Sequence, residues 1–339
     1  MRSNIKIEWL TKSLAMYNAF ISKKDVVHIR GGRVYELLAI DALKNTYNVT
    51  INKALIMESN VIRYVYQNHK SKIKGDICVV DPYLIALGKF KTGKKNIAVI
   101  HHIDEHLFNE NIWSKLFYFN LKRNLKKMNA VVVVSEVWKT ALNDLGIKNV
   151  KVIYNSFDTK NYEFSKEEKQ AFIKKYNLNS AKPIVYLGPN MSEKGIDKVL
   201  SVIEQEKYEL ISTGKVDVYN KNVKTFFFSD NEFRLFLSCC DVVLCMSKMT
   251  EGWNRIAHES LLSKTPVIGS GTGGMKELLE KSGQIIVKDV NGLNHIIDDC
   301  LQHSSKYIET GYQYVSKFDL EYFKSSWNTL ITELIDSNV

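Results

Sequence analysis

Short apolar runs alternate with amphipathic stretches along nearly the whole chain. Runs at Val26–Ile29, Asn48–Ile51, Ile77–Val80, Ile97–Ile100, Val131–Val134 and Val150–Ile153 are rich in valine and isoleucine. A second set follows at Pro183–Leu187, Leu210–Ser212, Phe226–Phe228, Val242–Cys245, Pro266–Gly269 and Ile285–Val287. Continuous β-branched runs suit strands covered on both faces, as in a parallel sheet. Helical patterns lie between them, among them Tyr35–Leu43, Trp113–Lys126, Lys139–Leu145 and Arg234–Cys239. The alternation predicts an α/β protein built on parallel sheets. The first strand can be drawn at Ile5–Leu10 or at Val26–Ile29. The second is preferred because Gly31-Gly32 and a helical pattern follow it directly, which leaves Thr11–Phe20 as an amphipathic helix.

The alternation breaks once, in the charged interval Ser156–Ala181. We therefore expect two doubly wound Rossmann-like domains facing a cleft, residues 1–155 and 156–317. The last segment, about 318–339, carries Phe318, Tyr322, Phe323, Trp327, Leu330, Ile331 and Leu334 at helical spacing and is expected to pack back on the first domain. A chain of 339 residues is long enough for two domains and their cores.

Composition narrows the class. With 45% apolar and 25% charged residues, the chain reads as an ordinary globular protein. No apolar run is long enough for a spanning helix, and Ile5–Leu14 is interrupted by Lys6, Glu8 and Lys12, unlike a signal peptide. The five cysteines (Cys78, Cys239, Cys240, Cys245, Cys300) form no CxxC and sit in apolar company, as reduced core residues do. A cytoplasmic location is expected, and the charge distribution adds peripheral attachment to the cytoplasmic face of the membrane. Residues 1–155 hold 25 Lys+Arg against 12 Asp+Glu, or +13, and the remaining 184 hold 22 against 25, or −3. Basic clusters occur at Lys70/Lys72/Lys74, Lys89/Lys91/Lys94/Lys95 and Lys122/Arg123/Lys126/Lys127. Such asymmetry favours an anionic partner. Nucleic acid is the weaker choice, because the basic residues are not interleaved with an aromatic platform and no binding motif is present.

Two stretches carry chemistry. Gly269-Ser-Gly271-Thr-Gly273-Gly274 matches G-x-G-x-x-G. It follows the fifth strand of its set rather than the first, and no acidic residue lies twenty positions on, so it reads as a backbone cradle for phosphate or sugar and not as a dinucleotide fingerprint. Just upstream, Glu251 and Glu259 are eight residues apart. On one continuous helix they would lie about 12 Å apart along the axis and share no site. Gly252 and the cap-forming Asn254 instead start the helix near Arg255, with Glu251 on the loop before it and Glu259 in its first turns. The helix N-terminus then offers free N–H groups to an anion.

In this context the chain resembles the retaining, nucleotide-sugar-dependent glycosyltransferases of family 4, which have the GT-B fold. Glu251 to Glu259 matches the E-x7-E motif, and Thr265-Pro-Val-Ile-Gly-Ser-Gly-Thr-Gly-Gly-Met-Lys-Glu277 matches the strand and glycine loop that follow it. Ala130-Val-Val-Val-Val-Ser135, Val152-Ile-Tyr-Asn155-Ser-Phe-Asp158, the pair Gly31-Gly32 and His101-His102 fall in the family's order. The resemblance implies that Glu259 holds the donor ribose, Glu251 the sugar hydroxyls, and the backbone of Gly273, Gly274 and Met275 the same sugar. Gly31 and Gly32 would approach the pyrophosphate, and His102 the sugar and leaving group, with His101 in that place if the register is one residue off. The base would be met by backbone around Phe226–Asp230. Lys194-Gly195 matches the family's Lys-Gly pair, but Pro189 stands where the family has an arginine, and Arg255 is expected to compensate. Asn254 replaces a family glycine.

The resemblance implies no cofactor and no metal, since no D-x-D occurs. Donor and acceptor would be a nucleoside-diphosphate sugar and a glycan or lipid-linked glycan, with an anionic membrane surface as a further partner. The same residues also admit a nucleotide-sugar epimerase or phosphorylase of the same fold, a non-enzymatic nucleic-acid-binding protein, and a silent paralogue suggested by Pro189.

Overall fold

A computed structural model describes residues 5–22, 31–56, 70–103 and 111–337. The chain divides into two compact units, Met1–Asn155 with Glu321–Val339, and Ser156–Leu320.

The first unit contains β1 (Lys6–Leu10), α1 (Leu14–Ser22), α2 (Gly32–Leu43), β2 (Asn48–Ile51), β3 (Ile77–Val80), α3 (Pro82–Ala86), β4 (Lys95–Ile100), α4 (Ile112–Leu125), β5 (Ala130–Val133), α5 (Glu136–Asp144) and β6 (Val150–Val152). Its six strands are all parallel, in the order β2-β1-β3-β4-β5-β6. Buried Ala98, Ile100, Val131 and Val133 join Leu121 and Leu125 in one core layer, so α4 covers that face of the sheet.

The second unit contains α6 (Lys166–Lys175), β7 (Ile184–Pro189), α7 (Ile196–Leu200), β8 (Glu209–Thr213), β9 (Val223–Phe226), α8 (Asp230–Cys239), β10 (Val242–Cys245), α9 (Arg255–Leu262), β11 (Val267–Gly269), α10 (Gly274–Lys281), β12 (Ile285–Ile286), α11 (Leu293–Gln302) and α12 (Ser304–Val315). The order β12-β11-β10-β7-β8-β9, all parallel, is the 3-2-1-4-5-6 winding of nucleotide-binding sheets. Capping boxes at Ser165 and Ser229 fix the starts of α6 and α8. The last helix, α13 (Leu320–Asp336), belongs with the first unit. There Trp327 packs at 5.8 Å from Trp9 and Phe323 at 5.0 Å from Tyr35, between ring centroids.

One expected strand is corrected and one lies outside the described residues. The first described strand is β1 at Lys6–Leu10, the alternative drawn at Ile5–Leu10; Val26–Ile29 is outside the described residues. Glu8 makes β1 look broken in sequence. In the fold, its buried carboxylate accepts from the Lys74 and Gly75 amides at 2.6 and 2.7 Å and from Asn52 at 3.0 Å. A buried carboxylate so satisfied is compatible with a strand. In the second unit β9 ends at Phe226 rather than spanning Phe226–Phe228. Phe226 and Phe228 instead pack on Tyr176, at 5.2 and 5.0 Å between centroids, and Phe227 is exposed.

Candidate functional site

In open parallel sheets ligands bind beyond the carboxyl ends of the strands, where the strand order reverses. In the second unit that point lies between β7 and β10. The chain leaving β7 turns through Ser192–Lys194 into Gly195, whose φ is +81°; a Cβ there would run into the Met246 carbonyl just beyond β10. The Lys248 amide donates to the Glu193 carbonyl at 2.9 Å, fastening the two loops. Across this junction Lys194 Nζ meets Glu251 Oε1 at 2.7 Å.

The glycine loop braces Glu251 from the other side. Gly273 sits at φ +56°, where any side chain would strike the Glu251 carbonyl. The Gly274 amide donates to that carbonyl at 2.8 Å, and the Met275 amide to Thr272 at 3.2 Å. Those two amides are therefore engaged within the protein. Met275 itself is buried, and its sulfur accepts from Asn254 Nδ2 at 3.2 Å. Asn254 has φ +66°, a conformation that asparagine tolerates better than most residues, which accounts for its standing in for glycine. Its Oδ1 caps α9 by accepting from the Ala257 amide at 2.9 Å.

Glu259 lies in the second turn of α9, where its Oε1 accepts from the Tyr162 hydroxyl at 2.9 Å. Burial raises its pKa, opposed in turn by the charge of Arg255, the Tyr162 hydrogen bond and the charge of Arg234. Arg255 stacks over Phe157 at 4.2 Å, and Arg234, from α8, lies 5.9 Å from the Tyr162 ring centroid. Among the described residues, the buried Arg234 Nε has no hydrogen-bond partner. Pro189 closes β7 and contributes no charge. Glu259 thus has cations on two helices and an aromatic hydroxyl at its tip. Sequence reading missed Tyr162 and Arg234. Tyr162 stands in the polar interval after Asn155, and neither residue belongs to a motif.

In the first unit Gly31, at φ +64°, opens α2, and a Cβ on Gly32 would overlap the His101 imidazole. His101 meets Tyr35 edge-on at 5.2 Å, and its Nε2 lies 3.7 Å from Glu36 Oε1. Glu36 is buried and accepts from Trp9 Nε1 at 2.7 Å through its other oxygen. His102 is exposed, so the histidine beside the glycine pair is His101, the alternative named for a register one residue off. Strand alternation explains it: Ala98 and Ile100 face the α4 core, and His101 falls on the opposite side. Nearby, burial and the charge of Glu36 push Asp81 up to about 6.

Among the described residues, no group of three His, Cys, Asp or Glu side chains is placed to hold a metal ion. Nor, among them, is any helix long and apolar enough to cross a membrane.

No family model matches the chain. It is 25% identical over 269 residues to the uncharacterised glycosyltransferase MJ1178 of Methanocaldococcus jannaschii, a match covering 75% of this chain and 66% of that protein, just under two thirds of its length. Among solved structures it is similar to Anabaena Alr3699/HepE in complex with UDP-glucose, with a TM-score of 0.72 at 16% identity over 97% of this chain and 100% of the other. Sucrose-phosphate synthase from Thermosynechococcus elongatus gives a TM-score of 0.76 at 15% identity over 98% and 100%. At these identities the likeness is one of fold: two Rossmann-like α/β domains with parallel sheets, the GT-B fold.

Proposed function

We propose that this protein is a retaining glycosyltransferase. It moves a sugar from a nucleoside-diphosphate donor to a glycan or lipid-linked glycan acceptor and requires no metal. The observation that carries this reading is the Lys194–Glu251 pair, astride the strand-order reversal of a nucleotide-type sheet. The curated relative is named a glycosyltransferase, and the bound UDP-glucose of the Anabaena protein makes uridine diphosphate sugars the first donors to try.

In this reading Glu259 accepts hydrogen bonds from the donor ribose hydroxyls, with Tyr162 holding the carboxylate in place. Glu251 holds the sugar hydroxyls. Lys194 and Arg255 offset the charge that the diphosphate gains as the glycosidic bond breaks, and Gly31 and Gly32 let backbone approach it. The histidine at Gly32 contributes beside the sugar. The bond from C1 to the phosphate oxygen breaks with its electron pair staying on the phosphate. The acceptor oxygen bonds C1 on the same face, and its proton passes to the departing phosphate. No protein nucleophile is required.

The test is incubation with a panel of nucleotide sugars and a lipid-linked acceptor in the presence of EDTA. The reading expects a glycosylated product with the donor's anomeric configuration, together with free nucleoside diphosphate. Inversion, or loss of turnover in EDTA, contradicts the mechanism. Sugar isomerised without acceptor marks an epimerase, and donor consumed by inorganic phosphate marks a phosphorylase.

A further inference from the structure

Helix α4 buries only Leu121, Asn124 and Leu125. At about 100° per residue, Ile112, Leu116, Phe119 and Arg123 fall within a wedge of roughly 60° on the opposite side. The exposures are large: 64% for Ile112, 48% for Leu116, 62% for Phe119 and 77% for the adjacent Trp113. The other four tryptophans, Trp9, Trp138, Trp253 and Trp327, are all buried. A cluster of large apolar side chains left in water on one helix face marks an interaction surface.

The charge along the same helix says what covers it. Residues 112–125 include Lys115, Lys122 and Arg123 and no acid, and exposed Lys126 and Lys127 follow. The unit that carries the helix, with α13 included, has a net charge of +11 against −1 for the other. An apolar first half followed by a cationic second half on one exposed face suits a helix lying in the plane of a bilayer, its aromatic side chains at the acyl boundary and its cations among the headgroups. We infer that α4 docks this protein on an anionic membrane surface, with Ile112, Trp113, Leu116 and Phe119 inserted and Arg123, Lys126 and Lys127 on the lipid phosphates. This deepens the expectation of an anionic membrane surface as partner and is measured without donor or acceptor, so it and the transferase reading can fail separately.

The experiment is co-sedimentation of the full chain with phosphatidylcholine vesicles, with and without phosphatidylglycerol, over a salt series, together with tryptophan emission. Wild type is expected to bind only the anionic vesicles, to lose binding as salt rises, and to shift its emission to the blue as Trp113 leaves water. Replacing Arg123, Lys126 and Lys127 together by alanine should weaken binding about a hundredfold. The double variant Trp113→Ser, Phe119→Ser should weaken it by a similar factor and abolish the blue shift, with an unchanged melting temperature because both side chains are exposed. Absence of vesicle binding overturns the inference, as does binding indifferent to both variants or to lipid charge. A wild-type dimer that the apolar variant converts to monomer assigns the face to a second copy and overturns it equally.

Discussion

Each unit is built on six parallel strands, wound 2-1-3-4-5-6 in the N-terminal unit and 3-2-1-4-5-6 in the C-terminal one, and the two differ further in where their chemistry is exposed. In the C-terminal unit the polar residues at the strand ends are fastened to one another: Lys194 to Glu251, Gly274 to Glu251, Asn254 to Met275, Tyr162 to Glu259. In the N-terminal unit the corresponding end holds a smaller cluster, Trp9–Glu36–His101 against Gly32, while the outer face of α4 carries unpaired apolar side chains beside cations. Under the proposed function the first arrangement holds a small anionic ligand in one pose. The second suits a large, variable surface. Two six-stranded parallel sheets thus differ in function through the loops at their ends and the outer faces of their helices.

Substitutions can break or sharpen this contrast. The largest effect is expected at Glu251, which would touch the reacting sugar: Glu251→Ala should cut turnover by about a thousandfold with the fold intact, read by steady-state kinetics and circular dichroism. A loss under tenfold would remove this residue from the reacting centre. Tyr162→Phe deletes one hydrogen bond to a carboxylate and should raise the donor KM by about tenfold while kcat changes little. A fall confined to kcat would mean that Tyr162 acts elsewhere. In the N-terminal unit, His101→Ala should lower turnover by about tenfold, and His102→Ala should leave it unchanged; the reverse result would restore the sequence-based preference.

The smallest effect is one of stability. Burial raises the Glu259 carboxyl above its ordinary value of 4.5, so the folded state binds that proton more tightly than the unfolded chain does. The associated stability is complete in acid and is lost as pH rises through the raised value. Glu259→Gln, which keeps the acceptor for Tyr162, should therefore raise Tm at neutral pH by roughly 2–4 °C. The gain should vanish below pH 4.5, where wild type is protonated too. A stabilised variant that no longer binds donor is the usual cost of a functional carboxylate.

Much of the fold was legible because it rests on local patterns. β2, β3 and β10 were read to the residue from apolar runs, and the start of α9 from Asn254. What escaped was set by tertiary partners. β1 was one of two drawings of the first strand, passed over because Gly31-Gly32 follows Val26–Ile29; its Glu8 is satisfied by Asn52, Lys74 and Gly75, more than forty positions away in sequence. The aromatic run at Phe226–Phe228 looked like a strand because pattern alone does not separate packing on a sheet from packing on Tyr176. Within the candidate site, Glu251, Glu259 and Lys194 were singled out by spacing and resemblance, whereas Tyr162 and Arg234 reach Glu259 only through the packing of the second unit. His101 was within reach, since carrying the alternation of β4 one residue further selects it over His102.

The account rests on a nucleoside-diphosphate site in the C-terminal unit. The most direct measurement is a thermal-shift panel of nucleoside diphosphates and their sugars on wild type and Glu259→Ala. A ligand specific to the folded state adds about 2.7 kcal/mol at a hundredfold excess over its Kd, a readily visible shift. If Glu259 holds the donor, at least one diphosphate stabilises wild type and has far less effect on the variant. A panel that stabilises neither protein, or both alike, would contradict it.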